Sequence, residues 1–201
     1  MRNSFLISTD PVSVPPHGLY ASAAVLGAYD FSRGLPRAGI SATNVQVKVA
    51  AQVDSTLVQT FPACCYSVTF GVYDESGTQL VVSPPTSLAG RAAGSTVMDT
   101  LALPTAECWS VARPYLYSLV ATVRNGSTVV DSMNITFGVR GVAWTADKGM
   151  LLNSQPVKMR GFCNHENFAG VGSAIPERVN LFRLQQMRGV GGNAWRASHS
   201  E

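Results

Sequence analysis

Two stretches decide the fold: Lys158-Met-Arg-Gly-Phe-Cys-Asn-His-Glu166 and Gly192-Asn-Ala-Trp-Arg-Ala-Ser-His199. Each is a short strand-like run that ends in a histidine. The segment between them is long enough for a helix. Pro176-Glu177 opens it, with the proline where its missing N–H costs nothing. Leu181, Leu184 and Met187 recur at i+3, Val179 pairs with Phe182, and Gly189, Gly191 and Gly192 close the run. Strand, helix and strand make a βαβ unit, whose two strands run parallel. Parallel strands end on one rim, so His165 and His199 are expected past neighbouring strand ends, facing the same space. That rim is where parallel α/β folds bind ligands. A parallel pair needs both faces covered, so the unit reads as the start of something larger.

Upstream the periodicity is that of strands. Val45, Val47 and Val49 alternate with Gln46 and Lys48, and Tyr66, Val68, Phe70 and Val72 repeat the pattern. Asp74-Glu-Ser-Gly77 is a turn. Leu80-Val-Val82 stops at Pro84-Pro85, and Thr96-Val-Met98 and Leu101-Ala-Leu103 stop at Pro104. Leu116 to Val123 is the clearest strand, Asn125-Gly126 a hairpin turn, and Val129 to Phe137 the return strand. Roughly seven short strands with turns between them predict an immunoglobulin-like β-sandwich over residues 44–140. Trp109, Tyr115, Leu116 and Tyr117 around Arg113-Pro114 read as aromatics packed on a sandwich edge.

Residues 1–43 carry Pro11, Pro15, Pro16 and Pro36 and read as irregular. Leu19-Tyr-Ala21 and Ala24-Val-Leu26 are candidate short strands without a core of their own. The start, with an expected strand over Ser4 to Ser8, suggests the end of an earlier domain followed by a linker. From 141 onward, Val142-Ala-Trp144 and Met150-Leu-Leu152 bracket a hairpin. A turn at Asn153-Ser-Gln155 leads to a strand over Val157 to Phe162, and Asn193 to Ala197 is the second parallel strand.

Composition excludes several classes. The chain has 201 residues, 46% hydrophobic and 13% charged, with net charge +3. That is a globular composition, not a disordered one. Its twelve arginines are dispersed, with no basic patch interleaved with aromatics, so nucleic acid is not an expected partner. No apolar run approaches the ~20 residues of a membrane span, and the first ten residues have too short an apolar core for a signal peptide. Cys64, Cys65, Cys108 and Cys163 form no C-x-x-C or zinc spacing and are expected as buried free thiols. No metal or cofactor is implied.

His165 and His199 are the candidate ligand-contacting residues, because imidazole can donate to a hydroxyl or to developing negative charge. Glu166 is placed to orient His165, to meet a ligand, or simply to face solvent. Arg196, if buried on its strand, needs a carboxylate partner. Arg178, Arg183 and Arg188 read as solvated helix residues. After Asp147 the only carboxylates are Glu166, Glu177 and Glu201, and no two make a credible acid/base pair.

Phe137-Gly-Val-Arg-Gly141, Leu152-Asn-Ser-Gln-Pro156, Met159-Arg-Gly-Phe-Cys-Asn-His-Glu166 and Asn193-Ala-Trp-Arg-Ala-Ser-His199 occur in that order. Together they resemble the signature of glycoside hydrolase family 2: G-F-R, L-N-G-x-P, R-G-x-N-x-H-E and N-x-x-R-x-S-H. Trp109 and Arg113-Pro-Tyr-Leu-Tyr117 are similar to the end of the family's immunoglobulin-like domain. The first forty residues look like the last strand of its sugar-binding jelly roll.

The resemblance implies a mainly β chain. Its sandwich is followed by the first βαβ unit of a (β/α)8 TIM barrel over 141–201. It implies a retaining β-glycosidase, β-galactosidase-like, acting on a carbohydrate substrate. His165 and His199 would contact sugar hydroxyls, Arg196 would lie near the catalytic nucleophile, and Glu166 matches the motif's acid. The family's two catalytic glutamates lie on later strands, so this chain alone is expected to be inactive. Cys163 replaces the motif's asparagine, Ser154 its turn glycine and Val139 its usual aromatic. A non-catalytic carbohydrate- or protein-binding sandwich is the alternative expectation, and an immunoglobulin-like adhesion module a weaker one.

Overall fold

The computed structural model describes residues 6–32 and 39–198. The chain is mainly β, with fifteen strands and one helix among those residues. It divides into two compact units. Among the described residues, one comprises Ser8–Ala143 with Leu151–Gln155, and the other comprises residues 6–7, Trp144–Met150 and residues 156–198.

The first unit is built on a long strand. Strands β1 (Val12–Ser13), β2 (Leu19–Val25) and β3 (Tyr29–Asp30) lie in succession along one edge of β4 (Ile40–Ser55). Along β4 the side chains of Val45, Val47, Val49, Ala51 and Val53 alternate inward, each at most 2% exposed. Burying a valine stabilises by about 1.5–3 kcal/mol, so this row fixes which face of the strand points in. The second sheet contains β5 (Tyr66–Tyr73), β6 (Gln79–Val82) and β7 (Thr86–Ser87). The far edge of β4 is covered by β8 (Ser95–Cys108), antiparallel over its length. Strands β9 (Tyr117–Asn125) and β10 (Thr128–Phe137) complete the second sheet in the order β10-β9-β5-β6, with β7 also on β5. Val68, Phe70, Val72, Leu119, Ala121 and Val123 from that sheet join the valines of β4 in one buried cluster.

Four sequence expectations change here. Residues 12–25 do not lie apart from a core: β2 pairs with β4 from Leu19 to Val25, and Val12, Val14 and Leu19 are buried in the cluster. The alternation in Leu19–Val25 is filled with alanine and serine, which weakens the sequence signal. Pro104 does not stop a strand. It lies inside β8, an edge strand, where a missing N–H is tolerated. The ladder pairs Thr43 with Thr105 and Val45 with Leu103, so Asn44, at φ 50°, faces the proline across a gap in the pairing. Residues 6–8 of the expected N-terminal strand are not strand; its first two residues lie outside the described ones. Finally, all four cysteines are free, but only Cys108 is buried, while Cys64, Cys65 and Cys163 are exposed.

Beyond the two large sheets, β11 (Val142–Thr145), β12 (Gly149–Leu152) and β13 (Gln155–Pro156) form a small sheet in that order. The turn from β12 to β13 is Asn153-Ser154, with φ of 50° and 64°. Two consecutive positive φ values are those of a type I′ hairpin turn.

The second unit holds β14 (Gly161–His165), α1 (Glu177–Gly189) and β15 (Ala194–Ser198). Glu177 places an acid in the helix's first turn and Arg188 a base in its last, both favourable to the helix dipole. No helix residue is buried, and Leu181, Phe182 and Leu184 are exposed. Among the described residues no helix is long and apolar enough to cross a membrane.

Candidate functional site

Strands β14 and β15 are paired in parallel, in the register Gly161–Ala194 through His165–Ser198. The expected βαβ unit is therefore present, with its strands shifted from the expected bounds. β14 runs from Gly161 to His165 rather than from Val157 to Phe162, so His165 is the last residue of its strand rather than past its end. Register partners share a face and alternate residues repeat it. Cys163 and His165 on β14 thus share one face with Arg196 and Ser198 on β15. His199 lies outside the described residues.

The start of the parallel pair is fixed by one side chain. The Asn193 amide accepts the Arg160 N–H at 2.7 Å and donates to the Lys158 carbonyl at 3.1 Å. The Asn193 backbone N–H donates to the Arg160 carbonyl at 2.8 Å. An asparagine is suited to this because its amide is both donor and acceptor.

At the other end, the loop after β14 is held by Arg183. Its guanidinium donates to the His165 carbonyl at 3.3 Å and to the Asn167 carbonyl. It also lies over the Phe168 ring, 5.0 Å from the centroid. The Asn167 N–H donates to the same His165 carbonyl at 2.8 Å, which makes Glu166 the corner of a tight turn. Arg183 is thus not a solvated helix residue as expected. The rigid fork of arginine can serve two carbonyls and a ring face at once. Its helical position carries no sequence sign of this role, because the carbonyls it meets are 16 and 18 residues earlier.

Arg196 is exposed, and its guanidinium donates to the Ser198 hydroxyl at 3.2 Å. Ser198 itself is buried. The structure thus brings His165, Arg196 and Ser198 to one face of the strand pair and puts Glu166 at the adjoining corner.

The sequence profile of Glycosyl hydrolases family 2 matches residues 39–140, just over half of the chain. The chain belongs to glycosyl hydrolase family 2. A putative β-glucuronidase of Formosa agariphila is 37% identical over 92 residues, 46% of this chain and 9% of that protein. A β-galactosidase of Bacteroides ovatus is 26% identical over 204 aligned residues, covering 99% of this chain and 21% of that one. The crystal structure of a putative β-galactosidase from Bacteroides fragilis superposes with a TM-score of 0.79 at 20% identity, over 96% of this chain and 27% of that one. This family 2 chain spans about a fifth of the length of the full relatives that it matches end to end.

Within the family 2 chain, two departures from the motifs have structural counterparts. Val139, in place of an aromatic, is fully buried in the core of the first unit. Ser154, in place of the turn glycine, sits at φ 64°, the backbone region that favours glycine.

Proposed function

We propose that this chain forms the sandwich and the first barrel strands of a retaining β-glycosidase that removes terminal β-linked sugars. The first unit is read as an immunoglobulin-like sandwich. Its sheet orders, β2-β4-β8 and β10-β9-β5-β6, support that reading, because they match the two sheets of such domains. The second unit is read as the opening βαβ segment of a TIM barrel, and the exposed Leu181, Phe182 and Phe162 are surfaces that further barrel elements would cover.

One observation carries the assignment of the sugar site. In a family 2 chain, the β14–β15 pair is parallel and aligns His165 with Ser198. His165 therefore ends β14 beside Ser198 at the end of β15, on the rim where barrel enzymes bind substrate. His165 and His199 donate to sugar hydroxyls. Arg196, with its always-charged guanidinium, keeps the nucleophilic carboxylate ionised. Glu166 adds an acceptor at the same rim. The acid/base and nucleophile glutamates come from later strands, about 5–5.5 Å apart as retention requires.

The test is made in the complete polypeptide that contains this chain. His165→Ala and Arg196→Ala should each lower kcat/KM on nitrophenyl β-glucuronide or β-galactoside by about 100-fold or more, with Tm unchanged within a few degrees. Variants within about twofold of the parent would remove these residues from the site.

A further inference from the structure

Cys64 and Cys65 are adjacent, free and exposed, immediately before β5. In a regular strand neighbouring side chains point to opposite faces. Here the backbone does not continue the strand. Cys65 has φ 90°, and the Tyr66 N–H donates back to the Cys64 carbonyl at 3.2 Å. That is a γ-turn of the rare, positive-φ kind, with Cys65 at its centre. The turn is held in place from outside: the Gly126 N–H, in the β9–β10 hairpin, donates to the Cys65 carbonyl at 2.8 Å. The two exposed side chains consequently project from one pinned turn, not from successive positions of a strand. A hydrogen bond from Cys64 is the main cause that keeps the Cys65 thiol above its ordinary value, with lost hydration second.

We propose that Cys64 and Cys65 form a vicinal dithiol site that binds a soft, trivalent thiophilic centre through both sulfurs, an organoarsenic(III) group being the type ligand. The chemistry is a condensation without redox change. Two S–As bonds form, the arsenic–oxygen double bond breaks, and the two thiol protons leave with the oxygen as water. Soft thiolate ligands select soft centres of this kind. A direct S–S bond between the same residues is a poorer fit. Adjacent Cα atoms are about 3.8 Å apart across a trans peptide, below the roughly 4.4–6.8 Å that disulfides span. A bridging atom larger than sulfur removes that constraint. The pinned turn also holds the two exposed thiols on adjacent residues, so the second S–As bond forms within the chain at high effective concentration. Cys163, exposed but alone, and Cys108, buried, offer one sulfur each.

The test uses the whole chain and phenylarsine oxide as probe, read by intact mass after challenge with excess glutathione. One phenylarsenic group per chain should survive the monothiol and be removed by 2,3-dimercaptopropanol. Cys64→Ser and Cys65→Ser should each lower the retained fraction about tenfold or more, while Cys163→Ser leaves it unchanged. Because both cysteines are exposed, their serine variants keep the core, and unchanged circular dichroism verifies this. Loss of the adduct to glutathione in the parent chain would overturn the proposal. So would retention in the Cys64→Ser/Cys65→Ser double variant, or an adduct mapped to Cys163.

Discussion

The Asn153 side chain donates to the carbonyl of Trp109, 44 residues earlier, at 2.9 Å. The same amide accepts the Gly141 N–H at 2.9 Å, and the Asn153 backbone N–H returns to the Gly141 carbonyl at 2.8 Å. Asn153 is fully buried and sits at φ 50°, a conformation asparagine tolerates better than most residues. One residue of the L-N-G-x-P-like motif therefore closes the end of the first unit. It is a structural residue rather than a ligand contact.

Asn153→Ala should destabilise the first unit by about 1–3 kcal/mol, because it leaves the half-buried Gly141 N–H and Trp109 carbonyl without their side-chain partner. Asn153→Asp should recover only part of this, since it keeps the acceptor and loses the donor. Urea denaturation followed by tryptophan fluorescence measures both. A cost for Asn153→Ala below about 0.5 kcal/mol would mean that water replaces the amide.

Ser154→Gly should stabilise the chain by about 0.5–1 kcal/mol. The left-handed conformation at φ 64° strains a residue with a Cβ, and this gain outweighs glycine's greater freedom in the unfolded chain. Ser154→Val should lower Tm, because a β-branched residue fits that region worst. Equal melting temperatures for the three chains would contradict the turn geometry.

Tyr117 and Cys108 predict an alkaline limit to stability. The Tyr117 hydroxyl accepts the Glu107 N–H at 2.7 Å and donates to the Glu107 carbonyl at 3.2 Å. Burial pushes the Tyr117 hydroxyl well above its ordinary value, and the Glu107 backbone bond only partly opposes this. Burial, with Glu107 adding to it, raises the Cys108 thiol from 9.0 to about 11. Both values are raised in the folded state, so the stability they contribute is fully present below the unfolded values. It is lost as pH rises through 9.0 to about 11 for Cys108, and further up for Tyr117. Urea midpoints taken from about pH 8 to about pH 11 should fall. Cys108→Ala should flatten the first part of that fall while lowering stability throughout. Tyr117→Phe should cost about 1–3 kcal/mol at neutral pH.

Arg183→Ala should loosen the loop after β14. Its guanidinium serves the His165 and Asn167 carbonyls and covers Phe168. The amide protons of Asn167 and Phe168 should exchange about tenfold faster or more in the variant. Arg183→Lys should not restore protection, because a point-like ammonium cannot serve two carbonyls and a ring face together. Unchanged exchange in both variants would show that the loop holds itself.

Much of this was legible in the residues. The hairpin of β9 and β10 was, because Asn125-Gly126 is a strong turn signal and Leu119, Ala121 and Val123 alternate inward. The parallel pair was legible from the order strand, helix, strand. Three features were not. The passage of β8 through Pro104 depends on β8 lying at an edge and on Asn44 opposite, neither of which is a local property. The joining of the two short candidate strands in residues 19–25 into one strand of the core rests on pairing with β4, since alanine and serine carry little β preference of their own. The exposure of Cys64 and Cys65 follows from a γ-turn that composition does not announce. At the candidate site, the placement of His165 and Arg196 on paired parallel strands was legible from the order of the elements. Arg183 was missed because a helix position says nothing of carbonyls brought to it by the fold.

The most direct test of the account is a glycosidase assay of the 201-residue chain by itself. Purified chain, verified as folded by circular dichroism, is incubated with nitrophenyl β-galactoside, β-glucuronide and β-mannoside from about pH 4 to about pH 9. With substrate-binding residues proposed in this chain and both catalytic carboxylates proposed on later strands, no nitrophenol should be released above the buffer rate. Turnover that follows the protein through purification and disappears in His165→Ala would contradict this, because the chemistry would then reside in these residues.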